Sequence, residues 1–418
     1  MAGTQSNNTW GNPQGTVGTL NGLFKETYAD RLKELIPDGV KLLNRIKFVA
    51  KEKMPGNLYH QPVILGLEHG VTFASSDEDA FNLAAPVAGS IKDAQVKGNP
   101  AVLRSVLGYV AASRSISSQQ AFEQGTKFLV ANMLRSMSKK IEIELLYGQM
   151  GYATVASVAG TVVTITTAEW APGIWAGAEQ MPIEIRSADG STSRGNFTVV
   201  AVDMGLQTIT LDSAPLAAVA TDVIWHKGAF GNEFAGIHFI LNVSSGTLFN
   251  INVAQYNLFR GNQYNAQSGP LSFSKMNLAA AQAVEKGLDS MLYCMVNPRT
   301  WANLLSDQAA LRRYDSSYSE KEGDMGSKSI RFYAQNGELE IDPSIYVKQG
   351  YSFMLALEDW YRVGSSDITF RRPGHGDEFF RDLENAAGYE LRVYTDQAVF
   401  CCAPGHSVVV YGIVNSTT

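Results

Sequence analysis

Cysteine is scarce in this chain: Cys294, Cys401 and Cys402 are the only three in 418 residues. Three thiols cannot build a disulfide framework, and adjacent Cys401 and Cys402 fall in an apolar, β-like run where free thiols behave as small hydrophobes. Buried, reduced cysteines made in a cytoplasm are expected rather than redox or metal chemistry. The longest apolar runs, such as Ser407 to Val414, fall far short of the roughly 18 residues that suggest a membrane span. The opening MAGTQSNNTWGNPQG has neither the basic start nor the apolar stretch of a secretory signal. No membrane partner and no export are expected.

Concentrated positive charge is also missing. Net charge is −6, with 16 Lys/Arg against 13 Asp/Glu in residues 1–150, 3 against 8 in 151–235 and 15 against 19 in 236–418. A dedicated nucleic-acid reader would carry a basic footprint. The basic bias from Arg31 to Lys53 could still face a polyanion.

Catalytic signatures are absent too. Two S-x-x-K strings, Ser136–Lys139 and Ser272–Lys275, have no S-D-N or K-T-G beside them, and the first lies within a helical pattern. There is no G-x-S-x-G, H-E-x-x-H, phosphate-binding G-x-x-x-x-G-K or paired C-x-x-C. The histidines (His60, His69, His226, His238, His375, His406) are scattered, with none at i, i+4 on a helix. Asp77-Glu78-Asp79 lacks the spaced oxygen ligands and turn glycine of a calcium loop. No catalytic residue, cofactor or metal site is assigned, and the chain reads as a non-enzyme. A secreted β-rich hydrolase is disfavoured because no triad or carboxylate pair can be nominated.

Hydrophobic residues make up 45% and charged residues 18%, which marks an ordered globular chain. Its length predicts two or three packed units. Leu20, Leu23, Phe24, Leu32, Leu35 and Ile36 give a short amphipathic helix, stopped by Pro37-Asp38-Gly39. Its apolar face could be buried in its own core or against a neighbour. Residues 55 to 112 read as extended chain, a long hairpin-like excursion with an acidic tip at Asp77-Glu78-Asp79. Such a loop lacks partners of its own and invites a docking surface on another subunit.

Between Ser117 and Gln149, Phe122, Leu129, Met133, Met137, Ile141 and Leu145 recur mostly every four residues. A helix of about 30 residues, roughly 45 Å long, follows. After Gly151 the chain turns to Thr, Val and Ile with alternation in Val163/Ile165, Ile183/Ile185, Phe197/Val199 and Ile209/Leu211, and turns at Asp189-Gly190 and Asp203-Met204-Gly205. This predicts a small inserted β-barrel or sandwich, with Thr154 to Lys227 forming an autonomous module. Beyond it come a helix from Phe273, a strand at Met291 to Val296, a second helix after Asn297-Pro298, an exposed polar loop from Arg312 to Ser329, and late strands at Tyr389 to Phe400 and Ser407 to Val414.

This order of parts resembles the tailed-bacteriophage major capsid family. QAFEQGTKFLVANMLRSMSKKIEIELLYGQ (Gln120 to Gln149) is similar to that family's spine helix, and YCMVNPRTWANLL (Tyr293 to Leu305) to its axial strand, turn and helix. GELEIDPSIYVKQGYSFML (Gly337 to Leu355) resembles its late strand pair, and GYELRVYTDQAVFCCAPG (Gly388 to Gly405) its final strands. The resemblance implies an α+β chain of the Hong Kong 97-type fold. Its parts are an N-terminal arm (1–54), an extended loop (55–112), the spine helix of the peripheral domain (113–150), an inserted β domain (151–235), an axial domain with peripheral strands (236–385), and returning peripheral strands (386–418).

The function implied is a shell subunit, assembling with itself as pentamers and hexamers into an icosahedral shell around double-stranded DNA. Portal, scaffold and cement proteins are further implied partners, and DNA contact is non-specific. The chain would be made and assembled in the host cytoplasm and reside in the virion. An encapsulin-like nanocompartment shell shares the fold and stands as the alternative. Candidate assembly contacts are Asp77, Glu78 and Asp79 against Lys139 and Lys140 of a neighbour, with Arg371 and Arg372 as a salt-bridge or phosphate-facing pair.

Overall fold

The computed structural model describes residues 39–49, 58–76, 80–108, 119–306, 330–334, 337–371, 381–383 and 388–416. The helix expected at Thr19 to Ile36 and the polar loop from Arg312 to Ser329 lie outside these residues.

The four-residue apolar spacing produces a single helix, Gln119–Tyr147, of 29 residues. Leu129, Met133, Met137, Ile141 and Leu145 are all buried, forming one stripe. From Ile141 to Gly148 every residue is buried, so the last two turns are enclosed on all sides. Two carboxylates are enclosed with them. Glu142 is satisfied by backbone donors: its Oε1 accepts from the N–H groups of Lys41 (3.1 Å) and Leu42 (2.9 Å), and its Oε2 from Leu43 (2.8 Å). A side chain on the long helix therefore caps the short helix Leu42–Arg45 from outside, meeting the unpaired donors of its first turn.

The long helix lies against a five-stranded sheet. Strand Gly388–Cys401 is its axis: Trp360–Thr369 and Arg381–Asp382 pair on one side of it and Asn99–Gly108 on the other, while Lys47–Phe48 adds in parallel to Trp360–Thr369. Alternation places Leu391 and Val393, with Ser105 and Leu107, in the buried layer.

A second sheet has six strands in the order Asn262–Gly269, Val408–Ile413, Ser352–Leu355, Leu292–Val296, Gly337–Pro343, Ile330–Ala334. Helix Phe273–Val284 packs on it through Phe273, Met276, Ala279, Ala280 and Ala283, and the Ser272 hydroxyl caps its start by accepting from the Lys275 N–H. Asn297 ends the strand and starts the next helix: its Oδ1 accepts from the Arg299 N–H at 3.0 Å, and its Nδ2 donates to the Val347 carbonyl. The last strand differs from expectation. Val408–Ile413 joins this six-stranded sheet and not the five-stranded one, because Val408, Val409 and Val410 are all fully buried and require neighbours on both edges and both faces.

Residues 153–226 form a closed six-stranded barrel. The alternating residues Val163, Ile165, Ile183, Ile185, Val199, Ile209 and Leu211 fill it. Gly190 (φ +72°) and the Asp203 carboxylate, which accepts from the N–H groups of Gly205 and Leu206, make the expected turns.

The barrel is closed, and it packs against the body rather than standing apart from it. Its connections leave and return side by side, with the Gly236 N–H donating to the Gly148 carbonyl at 2.9 Å. A Cβ at Gly148 would sit 2.2 Å from the Phe234 oxygen, so the approach is limited to glycine. The segment carrying Trp170 and Trp175, stacked at 6.1 Å and both fully buried, is bound to the loop 344–351. Gly173 N–H donates to Ile345 O, Gln349 N–H to Trp170 O and Gly350 N–H to Ala168 O. The barrel and the body thus share one continuous core.

At the centre of that junction Lys348, 1% exposed, places its ammonium 2.5 Å from Glu169 Oε2 and 4.3 Å from the Tyr147 ring centroid. Tyr351 donates to the other Glu169 oxygen at 2.9 Å. Burial raises the Glu169 carboxyl, but the Lys348 ammonium and the two donors more than offset it and hold the group below its ordinary value. Lys348→Met alone leaves the largely enclosed Glu169 carboxylate without its cation and should destabilise the fold by about 3 kcal/mol in urea denaturation, whereas Lys348→Met with Glu169→Leu should recover most of the loss. Additive losses in the two single variants would show that the pair is not coupled.

Candidate assembly surface

Strands Tyr59–Gly66 and Ser90–Val96 form an antiparallel hairpin in the register Tyr59↔Val96 through Ile64↔Ile91. One face, with Tyr59, Val63 and Val96, packs on the core, and the Tyr59 ring meets Phe400 edge-on at 5.3 Å. The opposite face carries His60, Pro62 and Ile64 against Gln95, Asp93 and Ile91. Near its root it is polar, where His60 Nδ1 lies 2.7 Å from Asp93 Oδ2. Away from the root it is apolar: Ile64 and Ile91 form an exposed cross-strand pair.

Beyond that pair the described residues, 67–76 and 80–89, form no helix or strand and leave several large apolar side chains exposed. Phe73 is 92% exposed, Leu83 81% and Leu67 75%, with Val71, Phe81 and Val87 also in solvent. Cross-links within the loop are His69 N–H to Val87 O at 3.1 Å and Ala84 N–H to Thr72 Oγ1 at 2.8 Å. Burying these six side chains together with Ile64 and Ile91 is worth roughly 1.5–3 kcal/mol each, on the order of 12–24 kcal/mol gross. An exposed apolar patch of this size marks a contact surface.

The charged candidates fare differently. Asp77, Glu78, Asp79 and Arg372 lie outside the described residues. Arg371 follows strand Trp360–Thr369, and its backbone N–H donates to Thr369 Oγ1 at 3.1 Å. Lys139 and Lys140 turn to their own chain. The Lys139 ammonium donates to the Ala176 carbonyl at 2.5 Å, and burial lowers its pKa to about 8. Lys140 bonds the Tyr152 hydroxyl and lies 3.3 Å from Glu233 and 4.0 Å from Glu144. Helical spacing put both lysines on the long helix without revealing that its C-terminal turns are enclosed by the barrel's connections. The exposed apolar side chains of the hairpin were the feature that charge-based reasoning passed over. Their signal was apolar residues on both alternations of one strand, Val63 and Leu65 beside Ile64.

An exposed two-stranded excursion, a long helix laid on a five-stranded sheet, and a six-stranded second sheet together match a known architecture. The chain superposes on a capsid chain of cyanophage A-1(L) with a TM-score of 0.55, covering 93% of this chain and 96% of that one at 11% sequence identity. It has the Hong Kong 97-type capsid fold. Weaker likenesses are to the capsid of a native GTA particle (TM-score 0.48, 8% identity, 93% and 95% covered) and to the SrpI encapsulin of Synechococcus elongatus (TM-score 0.45, 8% identity, 96% and 98% covered). At those scores they add nothing to the assignment. No protein-family model matches the sequence, and no curated protein is detectably similar to it. Among the described residues of this capsid fold, no helix is long and apolar enough to cross a membrane, and no group of three His, Cys, Asp or Glu side chains could hold a metal ion.

One buried group in the capsid fold titrates near neutrality. Burial pushes Glu144 up to about 7; Lys140 opposes this, but its ammonium lies nearer Glu233. Between the ordinary value of 4.5 and about 7 the folded chain holds a proton that the unfolded chain has released. The group's contribution is therefore fully present below 4.5 and is lost as pH rises through about 7. Glu144→Gln should flatten the fall in stability across that window, by at most about 1.4 kcal/mol for each step of one in pH, in urea denaturation at intermediate pH values. An unchanged slope would show that Glu144 does not titrate there.

Proposed function

We propose that this chain is the major capsid protein of a tailed phage, a structural subunit that assembles with copies of itself, as pentamers and hexamers, into an icosahedral shell around double-stranded DNA. The observation that carries this reading is the apolar hairpin, whose exposed side chains nothing else among the described residues covers. So much exposed isoleucine, leucine and phenylalanine would make an isolated monomer prone to association, and a closed symmetric shell satisfies every copy alike. In this reading residues 55–112 are the extended loop, the helix Gln119–Tyr147 is the spine, and the six-stranded sheet belongs to the axial domain. The barrel is a wall element fixed by its shared core rather than a flexible appendage. Synthesis and assembly take place in the host cytoplasm, and the shell is completed by a portal and by any scaffold or cement proteins.

Electron microscopy of the expressed chain should show closed particles of uniform size. Phe73→Ser with Leu83→Ser removes two of the most exposed apolar side chains without touching the core, so this variant should keep its thermal midpoint and yield no particles. Particles from this variant in wild-type amounts would reject the hairpin as the contact. Nuclease-protected DNA inside phage-derived particles is expected, and particles holding only protein cargo would favour the nanocompartment alternative.

A further inference from the structure

The two connections between barrel and body meet at a neck, where the Gly236 N–H donates to the Gly148 carbonyl. Tyr147 and Tyr152 flank Gly148 on the outgoing connection, and His226 and His238 flank Gly236 on the returning one. The four rings pair off across the neck in one repeated arrangement. The Tyr147 ring has the Lys348 ammonium 4.3 Å from its centroid and the His238 ring 5.9 Å away. The Tyr152 ring has the Lys140 ammonium at 4.6 Å and the His226 ring at 6.4 Å. Twice, then, a tyrosine of one connection stands between a buried or half-buried lysine and a histidine of the other.

The two histidines differ in what a proton would meet. His226 is partly buried, and its Nδ1 lies 3.2 Å from the Lys227 carbonyl, an acceptor that a charged ring can use. His238 is 3% exposed and enclosed by the rings of Tyr147, Tyr351 and Phe353. Its Nε2 faces the Asn242 amide nitrogen at 3.4 Å, and its Nδ1 has no hydrogen-bond partner among the described residues. Lys348 faces it from the loop 344–351 and Glu169 from the barrel. Glu169 is already held by the Lys348 ammonium and the Tyr351 hydroxyl, and the Tyr147 hydroxyl accepts from the Lys348 N–H. A proton on His238 would therefore place a second buried cation beside Lys348 with its neighbouring carboxylate already engaged. An opened ring takes up that proton at its ordinary value of 6.5, whereas the enclosed ring takes it up only at about 4. The closed arrangement thus keeps its full stability above 6.5 and loses it as pH falls through this window.

The contacts beside His238 are those that seat the barrel on the body: the backbone bonds of Gly173 to Ile345, Gln349 to Trp170 and Gly350 to Ala168, and the Lys348–Glu169 pair. We propose that His238 is the acid sensor of the barrel's neck: its protonation parts the segment carrying Trp170 and Trp175 from the loop 344–351 and frees the barrel to move on the connections at Gly148 and Gly236, while barrel and sheets stay folded. Glu169 is held below its ordinary value of 4.5 and stays ionised while the histidine titrates, so the release does not come from loss of the carboxylate's charge. The device belongs to the single chain and operates whether or not copies assemble.

Hydrogen exchange read by mass spectrometry on the full chain, at about pH 7.5 and about pH 5 and corrected for the intrinsic pH dependence of amide exchange, tests this. Peptides spanning 168–176 and 344–351 should lose protection on the order of tenfold at the lower pH, while peptides from strands Ser193–Asp203 and Gly388–Cys401 keep theirs. His238→Phe keeps a ring among Tyr147, Tyr351 and Phe353 but cannot take up a proton, so both segments should stay protected at the lower pH. His238→Gln, smaller and equally unable to titrate there, gives the same reading if the phenylalanine variant does not fold. An equal loss in the wild-type chain and in the non-titrating variants places the acid effect elsewhere and overturns the proposal. A loss shared by the barrel and sheet strands, which is general unfolding, or unchanged protection of the two segments in the wild-type chain, overturns it as well.

Discussion

The Lys348–Glu169 ion pair is the contact on which the arrangement of the three parts depends. Glu169 belongs to the barrel, Lys348 to the loop of the six-stranded sheet, and Tyr147, whose ring faces the ammonium, to the last turn of the long helix. The backbone N–H of Lys348 also donates to the Tyr147 hydroxyl at 2.8 Å. A buried ammonium holds its charge only when hydrogen-bonded partners stand at fixed positions around it. Helix, barrel and sheet must therefore keep one relative geometry for the cluster to be satisfied. His238 lies against it, its ring 4.6 Å from that of Tyr351, and burial followed by repulsion from Lys348 lowers its pKa to about 4. It stays neutral at physiological pH and adds no second cation.

The same logic operates at the start of the described chain. Glu142, enclosed in the core, receives three backbone N–H groups from residues 41–43, and the Arg362 Nε donates to the Ile46 carbonyl at 3.0 Å. Segments far apart in sequence are thus joined by polar groups buried in an apolar setting, where a missing partner costs far more than it would at the surface. Rigid joints of this kind fix the relative positions of the surfaces they connect. The hairpin is the opposite case: its apolar side chains face water, and within the described chain nothing covers them.

The long helix, the closing barrel strands and the cap at Asn297-Pro298 were legible in the sequence because each depends on local periodicity or turn chemistry. Spacing of four buries Leu129 through Leu145, and spacing of two buries Ile183 and Ile185; both hold whatever the helix or strand packs against. The absence of paired cysteines, membrane runs and catalytic signatures likewise follows from composition. What a periodic pattern cannot specify is its partner. Lys139 and Lys140 read as surface charges because the enclosing segments, Ala176 and Glu233, lie 37 and 93 residues away.

Tertiary structure alone decided three things. It made the barrel share its core with the body, through glycines at 148, 173, 236 and 350 whose close approaches involve distant backbone. It sent Val408–Ile413 to the six-stranded sheet, since an all-apolar strand fits any doubly covered position and only the available edges choose between them. It brought Arg104 and Arg392 onto the one carboxylate of Glu390, which depends on strand register. By itself the sequence determined which segments are helical or extended and which faces are apolar, because those follow from side-chain spacing within a few residues. Pairing, enclosure and the final placing of charge are long-range, and they are settled by which buried polar groups find partners when the whole chain is folded.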